Sequence, residues 1–353
     1  MRMGSRFSLR ELRPEDGPGV GRLMEESPDT GRVGTAMHFE IDPIESFRVT
    51  QGDFIGVVAE VPGSDGLAGC CLARFGRCQF EGDIVPHALV NTLVVHPDHR
   101  RRGIATALVN WLLERCRARL GKNGLIWELI QQGNVGSVRT ANKYMTQFFA
   151  DRITVVPMKP RARPPRPVAG ITVQEAKRDE FEKVADRLNA FYREFNLYEP
   201  QTADSLATWC ETTPFDDPFR HYLVAVDDDG DFVAGIGVSE GYRMRTLMIT
   251  HMPAVLRALN AVLKIVPPDG ITRGLELSKL WFAPGRLVAA RYLVEEVRFR
   301  WRDKANMIIA WVDEHSPVFK AIRPRPWTPI TRSALVILES PVPASAARPV
   351  YYE

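Results

Sequence analysis

The sequence predicts an α/β (α+β) fold made of two tandem copies of one mixed unit. Three observations carry this expectation. Strand, hairpin and strand-to-helix patterns recur in both halves, a proline-rich basic string separates them, and 353 residues with 45% hydrophobic content exceed one ordinary core.

Ser8-Leu9-Arg10-Glu11-Leu12-Arg13-Pro14-Glu15-Asp16 reads as an alternating strand running into an acidic helix start. Thr172-Val173-Gln174-Glu175-Ala176-Lys177-Arg178-Asp179-Glu180 repeats that pattern. A hairpin follows in each half. Val57-Val58-Ala59 and Leu67-Ala68-Gly69-Cys70-Cys71 flank a turn holding Pro62, Gly63, Asp65 and Gly66. Leu223-Val224-Ala225-Val226 and Phe232-Val233-Ala234-Gly235 flank Asp227-Asp228-Asp229-Gly230. Further on, Leu93-Val94-Val95-His96-Pro97 answers to Leu280-Trp281-Phe282-Ala283-Pro284, each before a helix and another apolar strand.

Between the halves, Lys159-Pro160-Arg161-Ala162-Arg163-Pro164-Pro165-Arg166-Pro167 has no hydrophobic period and reads as a stiff, solvated connector, with a recognition peptide as the other reading. The expected division is 1–158, linker 159–170 and 171–353.

The richest stretch is Leu89 to Leu108, where a β-branched strand enters a basic turn that opens a helix. Gly103 and Ala105 leave no bulky side chain at that turn. A phosphate can therefore reach the first unbonded N–H groups of the helix, where the dipole also favours negative charge. Arg100, Arg101 and Arg102 add charge contacts.

This segment resembles the coenzyme loop of the GNAT acetyltransferase superfamily: a hydrophobic strand, a Val-x-Pro step (Val95-His96-Pro97), then Arg-x-x-Gly-x-Ala (Arg100 to Ala105) and a helix. The resemblance implies two GNAT-like domains, each a mixed, mostly antiparallel central sheet flanked by helices. It implies an acetyl-CoA-dependent N-acetyltransferase acting on a primary amine, with acetyl-CoA as co-substrate and no metal. The strand backbone at Leu93 and Val95 would hold the pantetheine arm with the acetyl group near Val94, and Arg100, Arg101, Arg102, Gly103, Ile104, Ala105 and Thr106 the pyrophosphate.

Asn134 to Lys143 is similar to the family's Asn-x-x-Ser-x-Arg-x-x-x-Lys form, which puts Asn134 against the coenzyme. Gly133-Asn134 also reads as a plain turn and helix cap. The family's tyrosine, a general acid seven residues after that asparagine, is replaced by Ala141, with Tyr144 one turn later as the substitute. Its strand glutamate is replaced by Leu89. His87 and Glu128 are the candidate bases, and Asn91, on the His87 and Leu89 face by alternation, the candidate substrate contact.

The second copy has only Gly285-Arg286 between Pro284 and its helix, so the Arg-x-x-Gly-x-Ala turn is absent. A lost or much weaker coenzyme site is expected there, with the domain shaping the acceptor pocket.

The acceptor itself is expected to be a small-molecule or peptide amine. Glu25, Glu26, Asp29, Glu40, Asp42 and Glu45, among Phe39 and Phe47, would give its pocket an acidic rim suited to a cation.

A near balance of 46 basic and 43 acidic residues gives no reason for a nucleic-acid partner, and no apolar run long enough to span a bilayer points to a membrane. Five cysteines make no disulfide framework, so a reducing cytoplasm is expected. A homo-oligomer stays open. The reading from another class is a non-catalytic acyl-CoA sensor or interaction module.

Overall fold

A computed structural model describes residues 7–29, 34–254, 267–322 and 330–352, with positions 257, 260, 324 and 328. The first half holds β1 (Ser8–Glu11), α1 (Gly17–Glu26), β2 (Gly34–Phe39), α2 (Pro43–Gln51), β3 (Phe54–Glu60), β4 (Gly69–Phe80), β5 (Asp83–Val95), α3 (Ile104–Leu120), β6 (Leu125–Gln131), α4 (Val135–Ala141) and β7 (Gln147–Met158). The second holds β8 (Ile171–Glu175), α5 (Phe181–Phe191), α6 (Ala203–Glu211), β9 (Arg220–Asp227), β10 (Phe232–Ser239), β11 (Arg245–His251), β12 (Ile271–Thr272), β13 (Gly274–Phe282), α7 (Leu287–Arg300), β14 (Met307–Val312), α8 (Pro317–Ile322) and β15 (Thr331–Glu339).

The repeat extends to the caps. The Asp16 carboxylate accepts the Arg13 N–H (2.7 Å), and the Glu180 carboxylate accepts the Lys177 N–H (2.8 Å). Each acid closes a single 3₁₀ turn that leads into α1 or α5. Both hairpins form as antiparallel pairs, β3 with β4 and β9 with β10.

The two copies do not make two separate sheets. A single twelve-stranded sheet runs β1-β3-β4-β5-β6-β15-β7-β14-β13-β10-β9-β8. The last strand of each half lies in the other half's half-sheet: β15 pairs with β6, and β7 pairs with β14. In between, β15 and β7 pair with each other. A second sheet, β12-β11-β2, also joins the halves.

One face of the first half-sheet packs on α3 through Ile104, Leu108 and Leu112, and the other on α1 and α2 through Val20, Leu23 and Phe47. Because each half-sheet is completed by the other half's strand, neither can keep its core alone. Unfolding followed by backbone circular dichroism and by tryptophan fluorescence is expected to give one coincident transition; two separated transitions would show independent halves.

The connector is mostly exposed, as a solvated string would be, and is anchored at a few points. Arg161 donates its N–H to the Arg298 carbonyl (2.9 Å) and pairs with Glu295, Arg298 donates to the Lys159 carbonyl (2.8 Å), and Pro165 is buried. Its missing periodicity reflects extended chain laid on α7. All five cysteines are free thiols. Among the described residues no helix is long and apolar enough to cross a membrane.

Candidate active site

The site begins with a fault in a strand. The register of β4 against β5 slips between Cys70 and Leu72, and opposite the slip Thr92 takes a left-handed backbone (φ 55°), a costly conformation for a β-branched residue. On its other side β5 pairs in parallel with β6 only from His87–Leu125 to Val90–Glu128. Beyond that pair the strands part. Residues 91–95, including Leu93, Val94 and Val95, therefore face a wedge-shaped gap with their backbone groups outside the β6 ladder.

The gap leads to the predicted turn. Arg101 (φ 62°) and Gly103 (φ 84°) are both left-handed, and a β-carbon on Gly103 would meet no atom within 4 Å. Gly103 is thus required by backbone conformation and looks onto open space. Ile104 is buried and pins the first turn of α3 to the core, so it contributes only its N–H.

The first helical bond runs from the Ala107 N–H to the Gly103 carbonyl (3.0 Å), which leaves the N–H groups of Ile104, Ala105 and Thr106 without a helical acceptor. Arg101 and Arg102 are exposed. Arg100 turns back and donates to the Val95 carbonyl (3.1 Å), bracing the strand end. Burial, and then the Arg102 charge, hold the His99 imidazole below its ordinary pKa. Lys143 reaches the same turn, donating to Thr106 Oγ1 (2.8 Å).

Glu128 stands where β5 and β6 part. It lies between Ile126 and Ile130, which pack toward α3, and it is 9% exposed. Burial pushes its carboxyl up to about 7. Tyr144 donates to the Thr106 carbonyl (3.4 Å), and burial raises its hydroxyl above the ordinary value. Asn134 caps α4, its Oδ1 accepting the Ser137 N–H (3.0 Å), so the cap reading describes that oxygen. Asn91 donates to Gln51 Oε1 (2.9 Å) at the edge of a cavity.

His87 is corrected as a candidate base. It is 1% exposed, its Nδ1 accepts the Trp127 indole N–H (3.1 Å), and its Nε2 faces Glu199 (3.2 Å). With Nδ1 accepting, the proton sits on Nε2 and is given to Glu199, so no ring nitrogen is left to take one from a substrate.

Glu199 comes from the loop between α5 and α6 and also accepts from Arg74 (2.7 Å). Burial opposes its ionisation, but the His87 hydrogen bond and the Arg74 and Lys279 charges outweigh this and hold the carboxyl below its ordinary pKa. No local motif flags Glu199; it reaches the site across a sequence separation of 125 residues.

The cavity, 680 Å³, lies between the halves on the Trp127 side of the sheet. It overturns the acidic rim. From the segment Glu25 to Asp53 it takes Met37 and residues 48–53. None of the six predicted acids lines it, and four are engaged elsewhere: Glu25 on His38 (2.5 Å), Glu26 on His96 (3.4 Å), Glu40 on Thr246 (3.1 Å) and Asp42 as the cap of α2. Instead Arg48, Arg74, Arg220, Arg245 and Lys279 line the cavity, against Asp53, Glu199 and Glu276.

The second copy keeps the strand fault and closes its gap. The register slips between Gly235 and Gly237 opposite Lys279 (φ 49°), and β13 pairs with β14 only from Gly274–Met307 to Leu277–Ala310. There the Tyr222 hydroxyl donates to the Lys279 carbonyl (3.0 Å) and Tyr192 to the Leu280 carbonyl. The chain's own Val350, Tyr351 and Tyr352 enter the gap, leaving a space of 30 Å³. At the helix start Arg286 is held by Asp227 (3.0 Å), and Ala289 and Ala290 both bond back to the Arg286 carbonyl. Tyrosine hydroxyls thus occupy strand carbonyls at the fault of the second copy.

Residues 24–145 match the model of the acetyltransferase (GNAT) family. No curated protein matches the chain. In fold it is similar to N-myristoyltransferase of Saccharomyces cerevisiae, solved with bound myristoyl-CoA (TM-score 0.65, 12% identity, 97% of this chain and 85% of that one). It is also similar to a GCN5-related N-acetyltransferase from Sphaerobacter thermophilus (TM-score 0.59, 16% identity, 96% of this chain and 97% of that one). A further likeness is to a GCN5-related N-acetyltransferase from Kribbella flavida (TM-score 0.51, 13% identity, 94% and 72%). Residues 24–145 are therefore an acetyltransferase (GNAT) domain, and the chain as a whole carries the tandem GNAT fold.

Proposed function

We propose that this protein moves the acetyl group of acetyl-CoA to a primary amine by direct attack within a ternary complex. The observation that carries the reading is the wedge between residues 91–95 and β6, which runs toward the Gly103 turn and is tied by the Asn91–Gln51 hydrogen bond to a residue of the cavity lining. A coenzyme lying along it would meet the N–H groups of residues 104–106 and the charges of Arg101, Arg102 and Lys143 at one end. At the other it would present its thioester near Glu128 and Asn91.

In this scheme residues 1–158 hold the coenzyme, and residues 171–353 shape the acceptor pocket. An amine of lysine-like pKa is neutral in only about one molecule in a few thousand at pH 7. Glu128, half-ionised near neutrality, would take the proton through the gap, while orientation at effective molarities of ~10⁵–10⁸ M would supply the larger share of the rate. Tyr144, one hydrogen bond from the first turn of α3, is the candidate acid for the departing thiolate.

Two observations favour a second reading, a non-catalytic acyl-CoA sensor: His87 is locked between Trp127 and Glu199, and Glu128 faces α3 rather than the cavity. Calorimetric titration with acetyl-CoA and with a long-chain acyl-CoA, paired with thiol release over a panel of amines and N-terminal peptides, separates the two. Binding with turnover is the expected result. Binding without turnover leaves the sensor, and no binding removes both.

A further inference from the structure

The cavity between the halves has a charged lining and an aromatic one, and they differ in how far they are already engaged. Most of the charges are matched within the protein. Glu199 pairs with Arg74 (2.7 Å), Glu276 with Arg245 (3.1 Å) and Asp53 with Arg119 (3.1 Å). The Lys279 charge acts on Glu199, and Arg220 donates to the carbonyls of Trp209 (3.3 Å) and Val49 (3.2 Å).

The aromatic lining keeps surface to offer. In β14, Ala310 and Val312 are buried in the core that holds α7, so alternation turns Ile309 and Trp311 to the other face, where both line the cavity. Trp311 stays 36% exposed there. Tyr352 stands beside it with ring centres 5.3 Å apart, and Trp127 stands beyond Tyr352 at 6.1 Å, edge-on at 83°. All three rings line the one cavity, and Trp127 is the chain neighbour of Glu128.

The row is fixed in advance. The Val350 N–H donates to Asp313 Oδ2 (2.8 Å), the Tyr351 N–H to the Asn196 carbonyl and the Asn196 N–H to the Pro349 carbonyl (2.9 Å each). Asp313 is buried and paired with Arg152 (3.0 Å), and the Trp127 indole N–H is committed to His87 (3.1 Å). Rings held this way lose little freedom when a ligand docks on them. A cavity of 680 Å³ also takes a body much larger than a short alkylamine. A flat ring can lie offset on the open face of Trp311, a contact that favours it beyond its buried area, whereas a puckered aliphatic ring of the same size cannot.

We propose that the acceptor is a primary amine built on a flat aromatic ring system, and that Trp311, flanked by Tyr352 and Trp127, is the platform on which that ring stacks. The amine end rests on the transferase reading and would point past Trp127 toward Asn91. The platform is a property of the cavity alone.

Two amines that differ only in the ring test this: 2-phenylethylamine and its saturated counterpart 2-cyclohexylethylamine. Each is titrated calorimetrically into the full-length protein loaded with free CoA, so that no turnover intervenes, and thiol release is then measured with acetyl-CoA. The aromatic member is expected to bind about three- to tenfold tighter, although the saturated ring is the more apolar of the two.

Trp311→Leu, which keeps an apolar side chain and removes the ring, is expected to shrink that gap below about twofold, and Trp311→Phe to keep it above twofold. A wild-type-like melting transition verifies folding of each variant. Equal affinities, tighter binding of the saturated amine, no binding of either, or a preference that survives Trp311→Leu overturns the proposal. Preference without thiol release keeps the platform and removes the transferase; thiol release without preference does the reverse.

Discussion

Arg102→Glu combined with Gly103→Asp is expected to abolish acetyl-CoA binding, raising Kd by about 10²–10³-fold in calorimetry, with the fold intact. Two effects add. At φ 84° a β-carbon costs about 1–2 kcal/mol in backbone strain, and no neighbouring atom lies close enough to clash, so conformation is the whole steric cost. The second effect is electrostatic: two carboxylates replace a guanidinium and an open seat at the positive end of α3, where an incoming pyrophosphate would meet like charge. Gly103→Ala separates the two, since it keeps the strain and leaves the charge unchanged, and only a modest loss of affinity is expected of it. Retained affinity in the double variant would remove the cradle from the reading.

Glu128→Gln is expected to move activity and stability in opposite directions. Activity should fall by about 10²–10⁴-fold, and the rise of kcat/KM with pH through about 7 should disappear with it. Stability should increase. The carboxyl sits near 7 in the folded protein against an ordinary 4.5, so the folded state holds its proton where the unfolded chain has released it. The wild type is therefore least penalised below pH 4.5, loses stability as pH rises from 4.5 to about 7, and carries a constant penalty above. The neutral amide removes up to about 3 kcal/mol of that penalty at pH 8 and almost none at pH 4. Denaturant unfolding at the two pH values reads the difference. Full activity with the expected stabilisation would make Glu128 a buried carboxylate outside the chemistry.

What the sequence determined by itself is what neighbouring residues control. The strand and helix starts of both halves, the two hairpins and the left-handed Gly103 turn each depend on a few consecutive positions, through alternation, capping acids and one glycine with a positive φ. The repeat was legible for the same reason, and with it the difference between Arg100–Ala105 and Gly285-Arg286.

Only the tertiary structure decided the rest. The exchange of β7 and β15 is a choice of strand partner, and an apolar alternating strand fits the edge of either half-sheet equally well. His87 read as a candidate base; burial against Trp127 and Glu199 made it a hydrogen-bonded element of the core. The acids of the first half looked like a rim because charge was counted along the chain, whereas the cavity gathers Arg74, Glu199, Arg220 and Lys279 from four distant segments. Charges that act at a few ångströms across more than a hundred residues of sequence leave no local pattern, so the Gly103 turn could be read from the sequence and the cavity wall could not.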